Sequence, residues 1–128
     1  MVQIYSNDNP GYNAVFPTAS GNWLLAISNY RSPFPEHGSC YFGRHNTTDE
    51  AFVVLEGGAR MHMYDEANGI HEITPMEKGK IYIVPKGQWH NAELLPGGKV
   101  LIAENQDTSD TDGIHIELDS LKVVYNEQ

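Results

Sequence analysis

Turn formers recur along this chain at near-regular intervals, and that punctuation limits its fold more than any other feature. Asn9-Pro10-Gly11, Ser20-Gly21-Asn22, Glu56-Gly57-Gly58, Ala67-Asn68-Gly69, Lys86-Gly87 and Pro96-Gly97-Gly98 each fix φ or admit a positive φ where a chain reverses. The segments between them are short and rich in Val, Ile, Tyr, Phe or Trp. Nowhere does an apolar i, i+3, i+4, i+7 pattern persist for three turns. The pattern predicts an all-β chain with strands near 12–16, 23–29, 39–45, 51–56, 59–65, 70–74, 80–84, 90–94, 99–105, 114–117 and 121–125. Many short strands separated by such turns imply a sandwich or barrel, not a parallel sheet with crossover helices. Segment 31–37, with Pro33 and Pro35, reads as a linker because proline denies a ladder its hydrogen bonds.

A chain of 128 residues fits one domain, 1–128, with a single hydrophobic core. Within it, 1–35 is expected to form N-terminal edge or dimer-contact strands and 107–128 a C-terminal extension. No apolar run approaches the length of a spanning helix, so no membrane role is expected. The formal charge of −9 repels a phosphate backbone, and no cluster of Lys and Arg interrupts it, which argues against nucleic acid as a partner. The first eight residues lack a basic region followed by an apolar one, and the single Cys40 has no internal partner. Both features lead to the expectation of a cytoplasmic location.

The chemistry-bearing residues concentrate in two stretches. In the first, the predicted strand ending at His45 is followed by Asn46-Thr47-Thr48-Asp49 and then by Glu50, which opens the next strand. A hairpin there would bring His45 and Glu50 face to face across a sheet. The second runs from Gly79 through Pro85 and Gly87 to His90.

These stretches resemble the paired motifs of the cupin superfamily, HxHxxxxExxxxxxG and GxxxxxPxGxxHxxxN. The matches are His45, Glu50 and Gly57, then Gly79, Pro85, Gly87 and His90. The resemblance implies a double-stranded β-helix, or jelly-roll, barrel with His45, Glu50 and His90 holding a divalent metal in its lumen: iron, manganese, nickel, cobalt or zinc. There are departures. Gly43 stands where the family's first histidine would be, Leu94 replaces the closing asparagine, and Gly38 falls one residue too close to the first motif. Two imidazoles and one carboxylate would form a facial triad with open coordination positions, with an empty site as the alternative.

Other residues are candidates by strand parity. Tyr41 and Gly43 share a face with His45; the first would line the lumen and the second would leave room for substrate. Glu104 has the parity of Val100 and Ile102 and would enter the cavity if they line it. His62, between Met61 and Met63, faces either the lumen or the outer surface. Trp89 would point away from His90 as a packing residue, Cys40 would pack likewise, and His37, His71 and His115 have no partners visible in sequence. The run 107–113 lacks the register of a calcium loop and reads as a solvated turn.

Two functional classes remain open. One is a metal-dependent enzyme, such as a dioxygenase, isomerase or lyase, acting on a small organic molecule in the lumen. The other is a non-catalytic cupin that binds or senses a small molecule. In either case a homodimer is expected, with N-terminal strands such as 23–28 covering an edge of the partner.

Overall fold

A computed structural model describes residues 1–15 and 21–126. Phe16 of the first predicted strand and Ser20 of the second turn lie outside the described residues. The strands are β1 (Gly11–Val15), β2 (Trp23–Asn29), β3 (Ser39–His45), β4 (Glu50–Glu56), β5 (Ala59–Asp65), β6 (Ile70–Met76), β7 (Ile81–Val84), β8 (Trp89–Leu94), β9 (Lys99–Asn105), β10 (Thr111–Glu117) and β11 (Lys122–Tyr125). A single 3-10 turn, Leu118–Ser120, separates the last two. Among the described residues no helix is long and apolar enough to cross a membrane.

The strands form two sheets, ordered β1-β2-β9-β4-β7 and β10-β3-β8-β5-β6-β11. Alternation along each strand sends Leu24, Ala26, Phe52, Val54, Met61, Val84, Val100 and Ile102 into one buried cluster between the sheets. This is the jelly-roll arrangement of an all-β chain. Gly57, the last matched residue of the first motif, turns β4 into β5 with φ of 64°. A Cβ there would lie 2.6 Å from the Gly97 carbonyl oxygen, so the two turns meet only because residue 57 has no side chain.

A second cluster sits outside the six-stranded sheet. Cys40, Phe42, Trp89 and Leu118 are buried there beneath Phe34 of the proline-bearing segment. Trp89 and Cys40 are therefore packing residues, and the Arg44 guanidinium lies 4.2 Å from the Trp89 ring centroid.

Three expectations change. β3 and β4 do not form a hairpin: β3 belongs to the six-stranded sheet and β4 to the five-stranded one, so residues 46–49 cross between layers. The crossing is pinned at both sides. The Thr48 hydroxyl accepts from the Asn105 N–H at 3.1 Å, and the Asp49 carboxylate accepts from the Lys86 N–H at 2.8 Å. Secondly, β10 begins at Thr111, inside the run read as a turn, because Thr111, Asp112 and Gly113 pair with His45, Arg44 and Gly43. The Asp112 carboxylate also meets the Arg44 guanidinium at 2.9 Å. Thirdly, β2 lies between β1 and β9 and has no open edge to offer a partner.

Candidate metal centre

The site is assembled from both sheets. His45 ends β3 and His90 lies near the start of β8, both in the six-stranded sheet; Glu50 opens β4 and Glu104 nearly closes β9, both in the five-stranded sheet. The imidazoles thus come from one layer and the carboxylates from the other. His45 Nε2 stands 2.7 Å from Glu50 Oε1 and 3.4 Å from Glu104 Oε2. His90 Nε2 stands 3.0 Å from the same Glu50 oxygen. Among the described residues, His45, Glu50 and Glu104 bring one ligand atom each within 4.8 Å of one another.

Hydrogen bonding orients these donors. His90 Nδ1 lies 2.9 Å from the Gln88 carbonyl oxygen, which can only accept, so in the neutral ring Nδ1 carries the proton and Nε2 presents its lone pair to the cluster. Burial opposes a charge on His90, yet the Glu50 carboxylate outweighs it and holds the imidazole above its ordinary value. The Tyr12 hydroxyl donates to Glu104 Oε1 at 2.8 Å, which leaves Oε2 turned toward His45. Burial, and then the charge of Glu50, pushes the Glu104 carboxyl up; burial and the nearby Glu104 push the Tyr12 phenol up.

This donor set fits a divalent cation. Glu104 Oε2 and His45 Nδ1 are buried with no hydrogen-bond partner among the described residues. A carboxylate oxygen buried without a donor is costly, and an ion between two carboxylates and two imidazole nitrogens removes that cost. His45, Glu50 and Glu104 would hold it, with His90 beside them.

The cluster lines a cavity of about 470 Å³ whose wall also includes Tyr12, Tyr41, Gly43, Phe52 and Asn91. Tyr41 shares the lumen face with Gly43 and His45, while Phe42 and Cys40 face the outer cluster. Gly43 pairs with Gly113 on one side and His90 on the other. The space left by the two glycines is taken up by Tyr41, whose hydroxyl would collide with a Cβ at Gly113 and would lie 3.4 Å from one at Gly43. The room beside His45 and His90 is therefore partly filled by an aromatic ring of this chain.

His62 is elsewhere. It lies on the outer face of β5, stacked on Phe34 with ring centroids 3.8 Å apart, and lines a separate cavity of about 460 Å³. The alternative that it reaches the lumen is corrected, because Met61 and Met63 occupy that face. Its Nε2 meets Glu93 Oε1 at 2.8 Å and its Nδ1 meets His71 Nε2 at 2.8 Å, giving His71 a partner that sequence did not reveal. His37 and Asp119 meet at 3.2 Å on the surface.

Sequence reasoning placed Glu104 among substrate contacts, and in the structure its carboxylate lies beside His45 and Glu50. It missed Tyr12. Strand parity located Glu104 correctly; for Tyr12, the signal would have been the register of β1 on β2, where Tyr12 pairs with Ser28, itself paired with the buried Val100.

No protein-family model and no curated protein matches the chain. Among solved structures it is similar to a cupin-2 domain containing protein from Shewanella frigidimarina (20% identity, TM-score 0.57, covering 77% of this chain and 85% of that one). It is also similar to oxalate decarboxylase from Bacillus subtilis (22% identity, TM-score 0.52) and to hydroxypropylphosphonic acid epoxidase from S. wedmorenis (22%, TM-score 0.56). In both cases 73% of this chain is covered, but it spans 24% of the decarboxylase chain and 49% of the epoxidase chain. With its two-sheet jelly roll and these neighbours, the chain is a small cupin-fold domain.

Proposed function

We propose that this domain holds one divalent metal ion on His45, Glu50 and Glu104, with His90 as a fourth donor, and acts on a small oxygen-bearing organic molecule in its lumen. The observation that carries the reading is the buried convergence of two imidazoles and two carboxylates, one carboxylate oxygen having no donor of its own. A bound ion there supplies Lewis-acid polarisation of a ligand oxygen. The chain's own groups supply the rest. Phe52 and the core beneath it close the floor against water. Asn91 donates to the Tyr41 carbonyl at 2.9 Å, tying the strand that carries Tyr41 and Gly43 to β8. Two carboxylates favour a hard or borderline ion such as manganese or iron over a thiophilic one.

The reading rests also on the fold neighbours, which include a decarboxylase and an epoxidase. Elemental analysis of protein purified without chelator tests it. The expected result is close to one equivalent of metal per chain, falling at least tenfold in His45→Ala and Glu104→Gln. Wild-type protein that takes up no more metal than these variants, even after loading, overturns it.

A further inference from the structure

The chain roofs the outer face of its six-stranded sheet without filling all the space beneath. Residues 34–37 form one wall and are tied to the 3-10 turn, where the Leu118 N–H donates to the Gly38 carbonyl at 3.0 Å and His37 meets Asp119 at 3.2 Å. β11 closes the side. It pairs in parallel with β6, setting Val123 beside His71 and Tyr125 beside Ile73, and all four residues border the cavity. At about 460 Å³ this space nearly equals the one beside His45 and Glu50, and it falls in the range of small-molecule sites.

Its floor is polar, and the direction of its hydrogen bonds is fixed. Glu93, paired with Arg60 at 3.1 Å, is a carboxylate and only accepts. His62 Nε2 therefore donates to Glu93 Oε1 at 2.8 Å. Burial holds His62 and His71 below their ordinary value and so neutral, which leaves His62 Nδ1 to accept from His71 Nε2 at 2.8 Å. The last nitrogen of the chain, His71 Nδ1, is then a lone-pair acceptor. His71 is 4% exposed, borders the cavity, and among the described residues has no hydrogen-bond partner besides His62. A buried acceptor without a donor is costly, so a ligand that donates to it gains affinity.

We propose that this cavity is a second binding site, taking a small uncharged phenol whose hydroxyl donates to His71 Nδ1. Apolar surface stands around the acceptor in Ile73, Val123 and the rings of Phe34 and Tyr125, which suits a flat aromatic body. Carboxylates are disfavoured on two counts. They have no proton to donate, and the exposed Glu36 and Asp119 repel them while Arg60 is already neutralised by Glu93. An ammonium would bury its charge against a neutral imidazole. The site is separate from the metal centre, because His62 lies on the outer face of the sheet while Met61 and Met63 face the core.

Titration of the full chain with phenol, above the imidazole pH range, tests this. One phenol per chain is expected to bind, and the nitrogen-15 resonance of His71 Nδ1 moves upfield as it accepts a proton bond. Anisole has the same ring and no O–H, and binds at least about fivefold more weakly. Val123→Trp, on the edge strand of the sheet, fills the cavity and lowers phenol affinity at least tenfold without touching the lumen. The resonance and the anisole comparison need only the wild-type chain, so they decide the matter if that variant impairs folding. Phenol that fails to bind at millimolar concentration, or that binds without moving the His71 signal, overturns the proposal. So does anisole binding as well as phenol, or a folded Val123→Trp that binds phenol undiminished.

Discussion

Tyr12 donates to Glu104 from an edge strand, and that bond decides which carboxylate oxygen faces His45. Removing the hydroxyl in Tyr12→Phe leaves the ligands in place but frees the Glu104 carboxylate to rotate. Metal affinity is expected to fall about tenfold with little change in the apo melting temperature, as isothermal titration and a thermal scan would show. Gly57 is constrained differently, by a positive φ and by the Gly97 carbonyl 2.6 Å from where a Cβ would be. Gly57→Ala should destabilise the fold by at least about 2 kcal/mol, measurable by denaturant unfolding. At this scale the sequence was readable where residue type and spacing sufficed. His45, Glu50 and His90 follow from motif spacing, whereas Glu104 gave parity alone and Tyr12 gave nothing until the register of β1 was known.

At the scale of elements, the strands are legible because turn chemistry and alternation agree, and the pairing is less so. A short polar stretch between two strands looks the same whether it closes a hairpin or passes between sheets; Thr48 and Asp49 settle it through bonds to residues far along the chain. The outer face of β5 and β6 is similar. His62 and His71 lie in one buried chain with Glu93 under Phe34. The carboxylate accepts from His62 Nε2, so His62 Nδ1 accepts from His71 Nε2. Burial holds both imidazoles below their ordinary value, His62 further depressing His71. The unfolded chain takes up protons on these rings before the folded one does. Their contribution to stability is therefore complete above the unfolded value, near pH 6.5, and is lost as pH falls through the lower folded values. The melting temperature should drop between about pH 7 and pH 5. His71→Gln, which keeps an N–H donor for His62 but does not titrate there, should flatten that acid limb.

For the whole molecule, an all-β barrel or sandwich could be read from punctuation and composition, while the unequal covering of the two sheets could not. One apolar row on the outer face of the five-stranded sheet joins Val15, Leu25, Ala103, Ala51 and Ile83, residues distant in sequence that register alone aligns. Metal binding should also register globally, because an ion bound to the folded state alone stabilises it by mass action. At a hundredfold excess over the dissociation constant the gain is about 2.7 kcal/mol. For a chain this size that raises the melting temperature by roughly ten degrees, reversible by chelator, and an unchanged scan on loading would count against the site. Because the imidazoles belong to one sheet and the carboxylates to the other, a metal held between them would also gauge how the sheets are spaced. A volume change deep in the shared core, at Phe52 or Val54 for instance, should alter the spectrum of a bound cobalt probe without touching any ligand.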